Sequence, residues 1–334
     1  MGVVISARCS ASYGKLEPQE LLPGDALIRV SYVGICQTDL EIYEGQLGYY
    51  KDGIAKYPIV PGHEFSGEIV QLTGDDNGLE VGARVVGECI LYCGACESCK
   101  AGNATGCTNR KETGVVNQAG AYARYVTLPA NHVHRIPDSV SLKEASLAEP
   151  LAVVHKGLRR IESRLSGKAR DCAVIGAGPI GNLCAQVLHA RGHRVTAVDI
   201  DDVRLAALPE TIGRENGLRD THRFEVVVEA TGRLDVLKEV LTESRTDSTL
   251  LLLGFPYGSF SYNFEQLVAM EKYVVGSVGS APEDFSAALK ALPNLDTREL
   301  TGTVLSLNRY ADAWKLHESH AHLKILLQPN GATE

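Results

Sequence analysis

The chain has 334 residues, of which 44% are apolar and 22% charged, a composition typical of globular rather than disordered proteins. Its formal net charge is −8 and it has no long cluster of lysine or arginine, which argues against nucleic acid as a partner, because phosphate binding requires clustered cations. No run approaches the roughly 18 apolar residues of a membrane-spanning helix, and residues 1–8 lack the basic segment and long apolar run of a secretory signal.

Residues 1–145 carry short apolar runs separated by glycine and proline. The runs at 3–5, 26–30, 67–70 and 83–87 predict short strands. Short strands with frequent turns are typical of an irregular β-barrel-like domain, and the chain length favours two domains.

Four of the nine cysteines lie close together, at Cys93, Cys96, Cys99 and Cys107. An odd number of cysteines in a chain of this length is unlike a disulfide framework, and the clustering indicates metal binding in a reducing compartment, which favours the cytoplasm. Four thiolates satisfy a tetrahedral zinc ion with no open position, so we predict a structural zinc site. The alternatives are an iron–sulfur cluster, which also accepts four cysteines, and four thiols without metal.

Strand and helix patterns alternate from about residue 150 onward. Residues 172–175 predict a buried strand, 179–191 an amphipathic helix and 194–199 the next strand. The alternation continues in strands at 224–228, 249–253 and 273–275 and in helices at 234–243 and 282–292. This order predicts an α/β fold with a doubly wound parallel sheet. The last 35 or so residues return to a mixed pattern and are expected to fold back onto the first domain.

The interval between Asp199 and the strand predicted at 224–228 is short. Only 24 residues separate Asp199 from residue 224, and they include Pro209, Gly213 and Gly217. Because a full helix–strand–helix passage fits poorly there, we predict that the third strand or its flanking helices are cut short.

A G-x-G-x-x-G motif follows the first strand of the sheet, with glycines at Gly176, Gly178 and Gly181. The first allows a tight turn, the second lets the backbone approach a pyrophosphate, and the third lets helix and strand pack closely. Asp199 ends the next strand, where a carboxylate accepts hydrogen bonds from the adenosine ribose and repels a 2′-phosphate. This combination predicts NAD rather than NADP, and the alternative is a tight turn that binds no ligand.

Three further segments carry residues that are able to bind a catalytic metal. They offer a thiolate at Cys36, an imidazole and a carboxylate at His63 and Glu64, and a second carboxylate at Glu149. Taken singly, each has a structural explanation: a core thiol, a capped loop, and a helix start before Pro150.

Together these segments resemble the zinc-dependent medium-chain dehydrogenases, in particular the sorbitol and threonine dehydrogenase branch. The matching segments are GICQTDL at 34–40, PGHEFSGEI at 61–69, CGACESC at 93–99 with Cys107, EPLAVVH at 149–155, VIGAGPIG at 174–181 and EATG at 229–232. The resemblance implies a GroES-like, β-rich catalytic domain at 1–147, a Rossmann NAD-binding domain at 148–290 and a return to the catalytic domain at 291–334.

The resemblance implies that Cys36 and His63 bind a catalytic zinc ion, with Glu64 or Glu149 as the third ligand. If both carboxylates bound at once, no position would remain for substrate, so one of them is expected to exchange with water or substrate. The resemblance also implies that Asp39 orients the ring of His63.

Further roles follow from the same resemblance. Beside the three glycines, Pro179, Ile180 and Thr231 are expected to contact the dinucleotide. Thr38 occupies the place of a hydroxyl relay for the substrate proton, and Glu41 stands where the family often has a histidine. Tyr43 or solvent is the alternative for the outer end of this relay.

The reaction implied is hydride transfer between NAD and a zinc-bound alcohol. The polar and aromatic loop at 43–52 favours a polyol, cyclitol or sugar over a fatty alcohol. The alternatives are a threonine-type 2-amino-3-hydroxy acid dehydrogenase, a zinc-free reductase of the same fold, and a non-catalytic sensor that binds NAD and zinc. The resemblance implies a homodimer or homotetramer joined near 273–276. The loosely spaced His317, His320 and His322 are expected at a surface helix end rather than in a metal site.

Overall fold

The computed structural model of the protein describes residues 1–17, 20–74 and 77–330. The chain forms two compact units. The first comprises residues 1–152, 279–293 and 297–334, and the second comprises residues 153–278 and 294–296. Among the described residues, no helix combines the length and the apolar character that crossing a membrane requires.

The N-terminal part of the first unit is built mainly from short strands, as its glycine and proline spacing predicts. The strands are β1 (Gly2–Ala7), β2 (Ser10–Gly14), β3 (Asp25–Gly34), β4 (Glu64–Leu72), β5 (Arg84–Gly87), β6 (Ile90–Leu91), β7 (Lys111–Thr113), β8 (Asn117–Gln118), β9 (Tyr125–Pro129) and β10 (Val133–Arg135). The helices are α1 (Gln37–Tyr43), α2 (Gly48–Lys51), α3 (Glu97–Lys100), α4 (Leu142–Ala145) and α5 (Ala148–Arg160), of which the residues from 153 onward belong to the second unit.

The second unit alternates strands and helices. Its strands are β11 (Asp171–Ile175), β12 (Arg194–Asp199), β13 (Gly213–Asn216), β14 (Val226–Glu229), β15 (Thr249–Leu252) and β16 (Tyr273–Gly276). Its helices are α6 (Glu162–Leu165), α7 (Pro179–Ala190), α8 (Asp202–Ala206), α9 (Leu234–Glu243) and α10 (Phe264–Ala269).

The six strands of the second unit are parallel and stand in the order β13-β12-β11-β14-β15-β16. This is the strand order of doubly wound dinucleotide-binding domains, so the predicted sheet is confirmed. The continuous apolar run of β14 is buried along its length, as expected of a strand covered on both faces. Phe224, expected in β14, instead lies just before it.

The third strand and the helix before it are both short. Helix α8 has five residues and strand β13 has four. The prediction of a truncated passage after Asp199 is therefore confirmed, and it follows from the few residues available in that interval.

The C-terminal part of the chain adds to the first unit. Its elements are α11 (Pro282–Ala291), α12 (Arg298–Thr301), β17 (Thr303–Ser306), α13 (Tyr310–Glu318) and β18 (Ile325–Gln328). The main sheet runs β10-β5-β4-β3-β18-β17, and β9 also pairs with β3. Strand β18 lies antiparallel to β3, with Leu326 opposite Gly34.

The core of the first unit lies against this sheet. Along β3 every second residue, at Ala26, Ile28 and Val30, is fully buried, which is the period of two expected for one face of a strand. Trp314 of α13 packs against the same core. Strands β3 and β4 are thereby fixed as rigid supports for the loops that follow β3 and precede β4.

Candidate metal centres and dinucleotide loop

The four clustered cysteines lie in one loop of the first unit and bring their sulfur atoms together. The Sγ–Sγ distances are 3.4 Å between Cys96 and Cys99, 3.6 Å between Cys107 and Cys93, and 4.0 Å between Cys93 and Cys99. Four sulfurs at about 2.3 Å from one tetrahedral zinc ion are about 3.8 Å apart, so this arrangement fits the ion.

The backbone of the same loop favours thiolates. The N–H groups of Cys99 and Thr108 lower the pKa of the Cys96 thiol to about 6. The N–H groups of Ala95 and Cys96 likewise lower the pKa of Cys93. Burial and the neighbouring thiols, in contrast, raise the pKa of Cys99 to about 12. Because the thiolate is the form that binds metal, the backbone favours metal binding at Cys93 and Cys96.

A second group of potential ligands forms where two paired strands end. Cys36 caps the N-terminus of α1, just after β3, and Glu64 begins β4. Because Gly34 and Glu64 face each other in the antiparallel ladder, the end of β3 and the start of β4 meet at one edge. The metal-binding atoms of Cys36, His63 and Glu64 all lie within 4.8 Å of one another.

Asp39 holds the two ligand-bearing loops together. Its fully buried carboxylate accepts hydrogen bonds from the backbone N–H of Cys36 at 3.0 Å and of Gly62 at 3.1 Å. The hydroxyl of Tyr122 donates a third, also at 3.0 Å. The carboxylate lies 3.9 Å from His63 Nδ1, beyond hydrogen-bond distance. Asp39 therefore positions His63 through the preceding backbone, whereas the sequence led us to expect direct contact with its ring.

The turn that carries His63 depends on Gly62. Its φ of +95° lies in the left-handed region, and a Cβ atom there would overlap the ring of Tyr122. Glycine at this position lets Tyr122 reach Asp39 while the chain turns sharply into His63.

Glu149 approaches the same group from the first turn of α5. Burial raises the pKa of its carboxyl to about 7, the charge of His63 opposes this shift and that of Glu64 adds to it. Glu149 does not belong to the group of atoms within 4.8 Å. The structure therefore brings Glu64 closer to Cys36 and His63 than it brings Glu149.

The surroundings of His63 are strongly negative. Burial lowers the pKa of this imidazole, but Cys36, Glu149 and Asp39 outweigh it and raise the pKa well above its usual value. Its Nδ1 atom is buried and makes no hydrogen bond. A buried imidazole among a thiol and several carboxylates is the donor set of a divalent zinc ion.

Lys324 is part of this centre, and no motif in the sequence pointed to it. The side chain is 2% exposed, forms an ion pair with Glu64 Oε2, and donates a hydrogen bond to the carbonyl of Ile35 at 3.1 Å. Burial lowers the pKa of Lys324, but Glu64 and Cys36 outweigh it and raise the pKa above its usual value. A single lysine before an apolar strand reads as a surface residue, and only the long-range pairing of β18 with β3 places it here.

The residues expected in the proton relay lie on α1. Thr38 Oγ1 is 3.6 Å from Cys36 Sγ, so this hydroxyl stands beside the metal ligands. Glu41 is buried on the same helix. The ring of Tyr43 packs against Trp314, with 5.1 Å between the ring centroids. The structure therefore brings Thr38 next to the ligand group and holds Tyr43 in an aromatic cluster.

A buried carboxylate near the cysteine loop was also missed. Glu88 Oε2 lies 2.9 Å from His132 Nδ1, and Glu88 Oε1 lies 2.8 Å from His134 Nε2. Burial raises the pKa of Glu88, but hydrogen bonds from the two imidazoles outweigh it and lower the pKa below its usual value. The other ring nitrogen of His132 is 3.2 Å from the carbonyl of Tyr92, which precedes the first cysteine of the loop.

The glycine-rich loop of the second unit connects β11 to α7. Gly176 has a φ of +96°, and a Cβ atom at Gly181 would overlap the carbonyl oxygen of Gly176. Gly178 precedes the first turn of α7, where Pro179 and Ile180 are half-buried. The N-terminus of α7 therefore offers unpaired N–H groups to an anion.

Two carboxylates border this loop. Asp199 accepts hydrogen bonds from the N–H of Ala177 at 2.6 Å and of Asp201 at 3.0 Å. Glu229 is buried and accepts a hydrogen bond from the N–H of Thr231 at 2.6 Å. Asp199 and Thr231 thus both lie beside the turn at Gly176.

The three C-terminal histidines are not brought together as ligands. They follow one another around the end of α13, and His322 Nδ1 is 3.0 Å from Thr303 Oγ1. Within the described ranges, the groups of side chains able to hold a metal ion do not include them.

Family models match nearly the whole chain. Residues 22–138 match the alcohol dehydrogenase GroES-like domain, and residues 143–328 match the glucose dehydrogenase C-terminus. The chain is 31% identical over 335 residues to sorbitol dehydrogenase of Halalkalibacterium halodurans, covering 94% of each protein. It is 30% identical over 270 residues to L-threonine 3-dehydrogenase of Pseudoalteromonas atlantica, covering 76% of this chain and 77% of that protein.

A solved structure shows the same architecture. Alcohol dehydrogenase TADH from Thermus sp. ATN1 superposes with a TM-score of 0.86 and is 25% identical. The match covers 98% of this chain and 99% of that one.

Proposed function

This chain belongs to the zinc-dependent medium-chain dehydrogenase superfamily, in its sorbitol and threonine dehydrogenase branch, and we propose that it transfers a hydride between NAD and a secondary alcohol of a polyol, cyclitol or sugar. The observation that carries this proposal is the group formed by Cys36, His63 and Glu64, with metal-binding atoms within 4.8 Å of one another. A zinc-free reductase or a binding protein has no need of such a group beside a separate four-cysteine site.

We assign Cys36, His63 and one of the carboxylates Glu64 and Glu149 as ligands of a catalytic zinc ion. Zinc supplies Lewis acidity, which lowers the pKa of an alcohol that it binds. Asp39 keeps the two ligand loops in register through its three hydrogen bonds. Thr38, beside Cys36, receives the hydroxyl proton and passes it toward Glu41, Tyr43 or solvent.

Residues 148–290 are proposed to bind the dinucleotide. Gly176, Gly178 and Gly181 allow the pyrophosphate to approach the N-terminus of α7, with Pro179, Ile180 and Thr231 beside it. Asp199 supports NAD over NADP, because its carboxylate repels a 2′-phosphate. Residues 1–147 and 291–334 are proposed to form the catalytic domain.

The loop after α1 supports a hydroxyl-rich substrate. The hydroxyl of Tyr49 accepts a hydrogen bond at 3.1 Å from Arg110, whose guanidinium also pairs with Glu112. Polar groups held in this way suit a substrate with several hydroxyl groups better than an aliphatic chain. A threonine-type activity is the second candidate, supported by the relative that matches 76% of this chain.

An exposed sheet edge and the cysteines bear on assembly and location. Strand β16 is an edge of the six-stranded sheet and leaves Tyr273 44% and Val274 37% exposed. This edge supports a homodimer or homotetramer joined near residues 273–276. Nine cysteines without a disulfide support a reducing compartment such as the cytoplasm.

The test is NADH formation across a panel of polyols, cyclitols, sugars, threonine and simple alcohols. We compare the wild type with Cys36→Ala, which removes a proposed ligand, and with Cys9→Ala, which removes an exposed cysteine elsewhere. The proposal expects two zinc ions per wild-type chain, one in Cys36→Ala, and turnover lost only in Cys36→Ala. One zinc ion per wild-type chain and no turnover would favour a sensor or a zinc-free reductase.

A further inference from the structure

Lys324 contacts both segments that carry the proposed zinc ligands. Its ammonium pairs with Glu64, which follows His63, and donates to the carbonyl of Ile35, which precedes Cys36. The side chain is 2% exposed and Glu64 is 4% exposed, so solvent contributes little to this pair. The attraction within a buried ion pair offsets the cost of desolvating its charges only when the two groups are well aligned and make further hydrogen bonds.

Gly34 provides the space for this pair. It lies on β3 between Glu64 of β4 and Leu326 of β18. A Cβ atom at Gly34 would overlap Glu64 Oε2 and lie 2.8 Å from Lys324 Cε. Gly34 does not adopt a positive φ, so the backbone itself does not require glycine here. The glycine leaves room for the two charged side chains.

The charges at the metal centre indicate what the ion pair contributes. A divalent zinc ion is already matched by the Cys36 thiolate and one carboxylate. Glu64 belongs to the ligand group and the charge of Glu149 acts on His63, so one carboxylate is in excess. Lys324 supplies the positive charge that makes the zinc ion, the Cys36 thiolate, the two glutamates and the lysine itself sum to zero when both glutamates are ionised.

We propose that Lys324 is a positioning residue of the metal centre. The lysine binds one oxygen of Glu64 and compensates the charge of that carboxylate. One coordination position of the zinc ion thereby remains open for substrate. This inference rests on the proposed function, because it requires zinc at Cys36 and His63. Without Lys324, both oxygens of Glu64 are free to turn toward the zinc ion. The open position is then filled by a carboxylate, and the ion is held more tightly.

The test is the zinc affinity of the catalytic site, measured by competition with a chelator, with the four-cysteine site as an internal reference. Lys324→Met leaves one more negative charge at the centre, and we expect about tenfold or greater tightening of zinc binding. Glu64→Gln leaves the lysine uncompensated and should weaken zinc binding by a similar factor. The double variant restores the charge balance and should return within about threefold of the wild type.

Two further measurements separate this role from a merely structural one. Damage to the fold would loosen zinc, whereas the proposal expects Lys324→Met to hold it more tightly. In the cobalt-substituted protein, Lys324→Met should absorb more weakly in the visible range, because the coordination number rises. Lys324→Arg keeps the charge and should retain the affinity and the spectrum of the wild type.

Unchanged or weaker zinc binding in Lys324→Met, with the protein folded and the four-cysteine site occupied, would overturn the inference. The same holds if the double variant resembles Lys324→Met rather than the wild type. Failure of the proposed function looks different, because the wild type itself would then lack the second zinc ion.

Discussion

Asp39 joins the two loops that carry the proposed zinc ligands, so its loss should disturb the proposed catalytic centre. The change to test is Asp39→Asn, which keeps the shape of the side chain and removes one acceptor oxygen. One carboxylate oxygen accepts from Cys36 and Tyr122, and the other accepts from Gly62. The best placement of the amide keeps its oxygen toward Cys36 and Tyr122, so its NH₂ faces the N–H of Gly62.

The expected loss follows from these contacts. The N–H of Gly62 is left without an acceptor in a buried position, which costs about 1–3 kcal/mol. The two remaining hydrogen bonds change from charge-assisted to neutral and each becomes weaker by about half. Burying the charged carboxylate costs free energy that burying the neutral amide does not, and this difference offsets part of the loss. We expect the free energy of unfolding to fall by about 2–4 kcal/mol.

Urea unfolding of the zinc-saturated protein measures this change, and zinc retention measures its effect on the centre. Tyr122→Phe is the matched control, because it removes one hydrogen bond and leaves the carboxylate on Cys36 and Gly62. The control should lose about 0.5–1.5 kcal/mol and keep its zinc. If Asp39→Asn unfolds like the wild type and retains zinc equally well, the argument that Asp39 holds the ligand loops is wrong.

Three other changes test separate features. Gly181→Ala places a methyl group against the carbonyl oxygen of Gly176. Calorimetry should show NAD binding weakened at least about tenfold, with the zinc content unchanged. An affinity equal to that of the wild type would contradict the close packing at this turn. Asp199→Asn should lower the preference for NAD over NADP by about tenfold in steady-state kinetics, and an unchanged ratio would remove Asp199 from cofactor selection. Glu88→Gln should lower the free energy of unfolding by about 1–2 kcal/mol near neutral pH. Because the pKa of Glu88 is lowered on folding, this difference is complete above its ordinary value near 4.5 and should vanish as the pH falls through the lowered value. A difference that persists at acid pH would contradict the assignment.

Local patterns in the sequence predicted the parts of the molecule that depend on local chemistry. The glycine-rich turn, the strand that ends at Asp199 and the four-cysteine loop each lie within a short segment, so their spacing reflects their geometry. The strands and helices of the second unit follow for the same reason. Strongly periodic segments such as α9 leave little choice of structure.

The contacts that the sequence did not reveal join distant parts of the chain. Lys324 and Ile35 are 289 positions apart, and Glu88 and His132 are 44 apart. Neither lysine nor histidine shows from its own neighbours that it will be buried against a carboxylate. These pairs depend on which strands come together, and strand register is set by the whole sheet.

The pairing of β18 with β3 also bears on how the chain is synthesised. On a ribosome, the end of β3 next to Cys36 has no partner on this side until Leu326 and Leu327 emerge. The whole second unit is made in the meantime. An unpaired strand edge is prone to associate with other chains. Premature termination or proteolytic loss of the last strand would therefore leave an aggregation-prone edge beside the metal-binding loop.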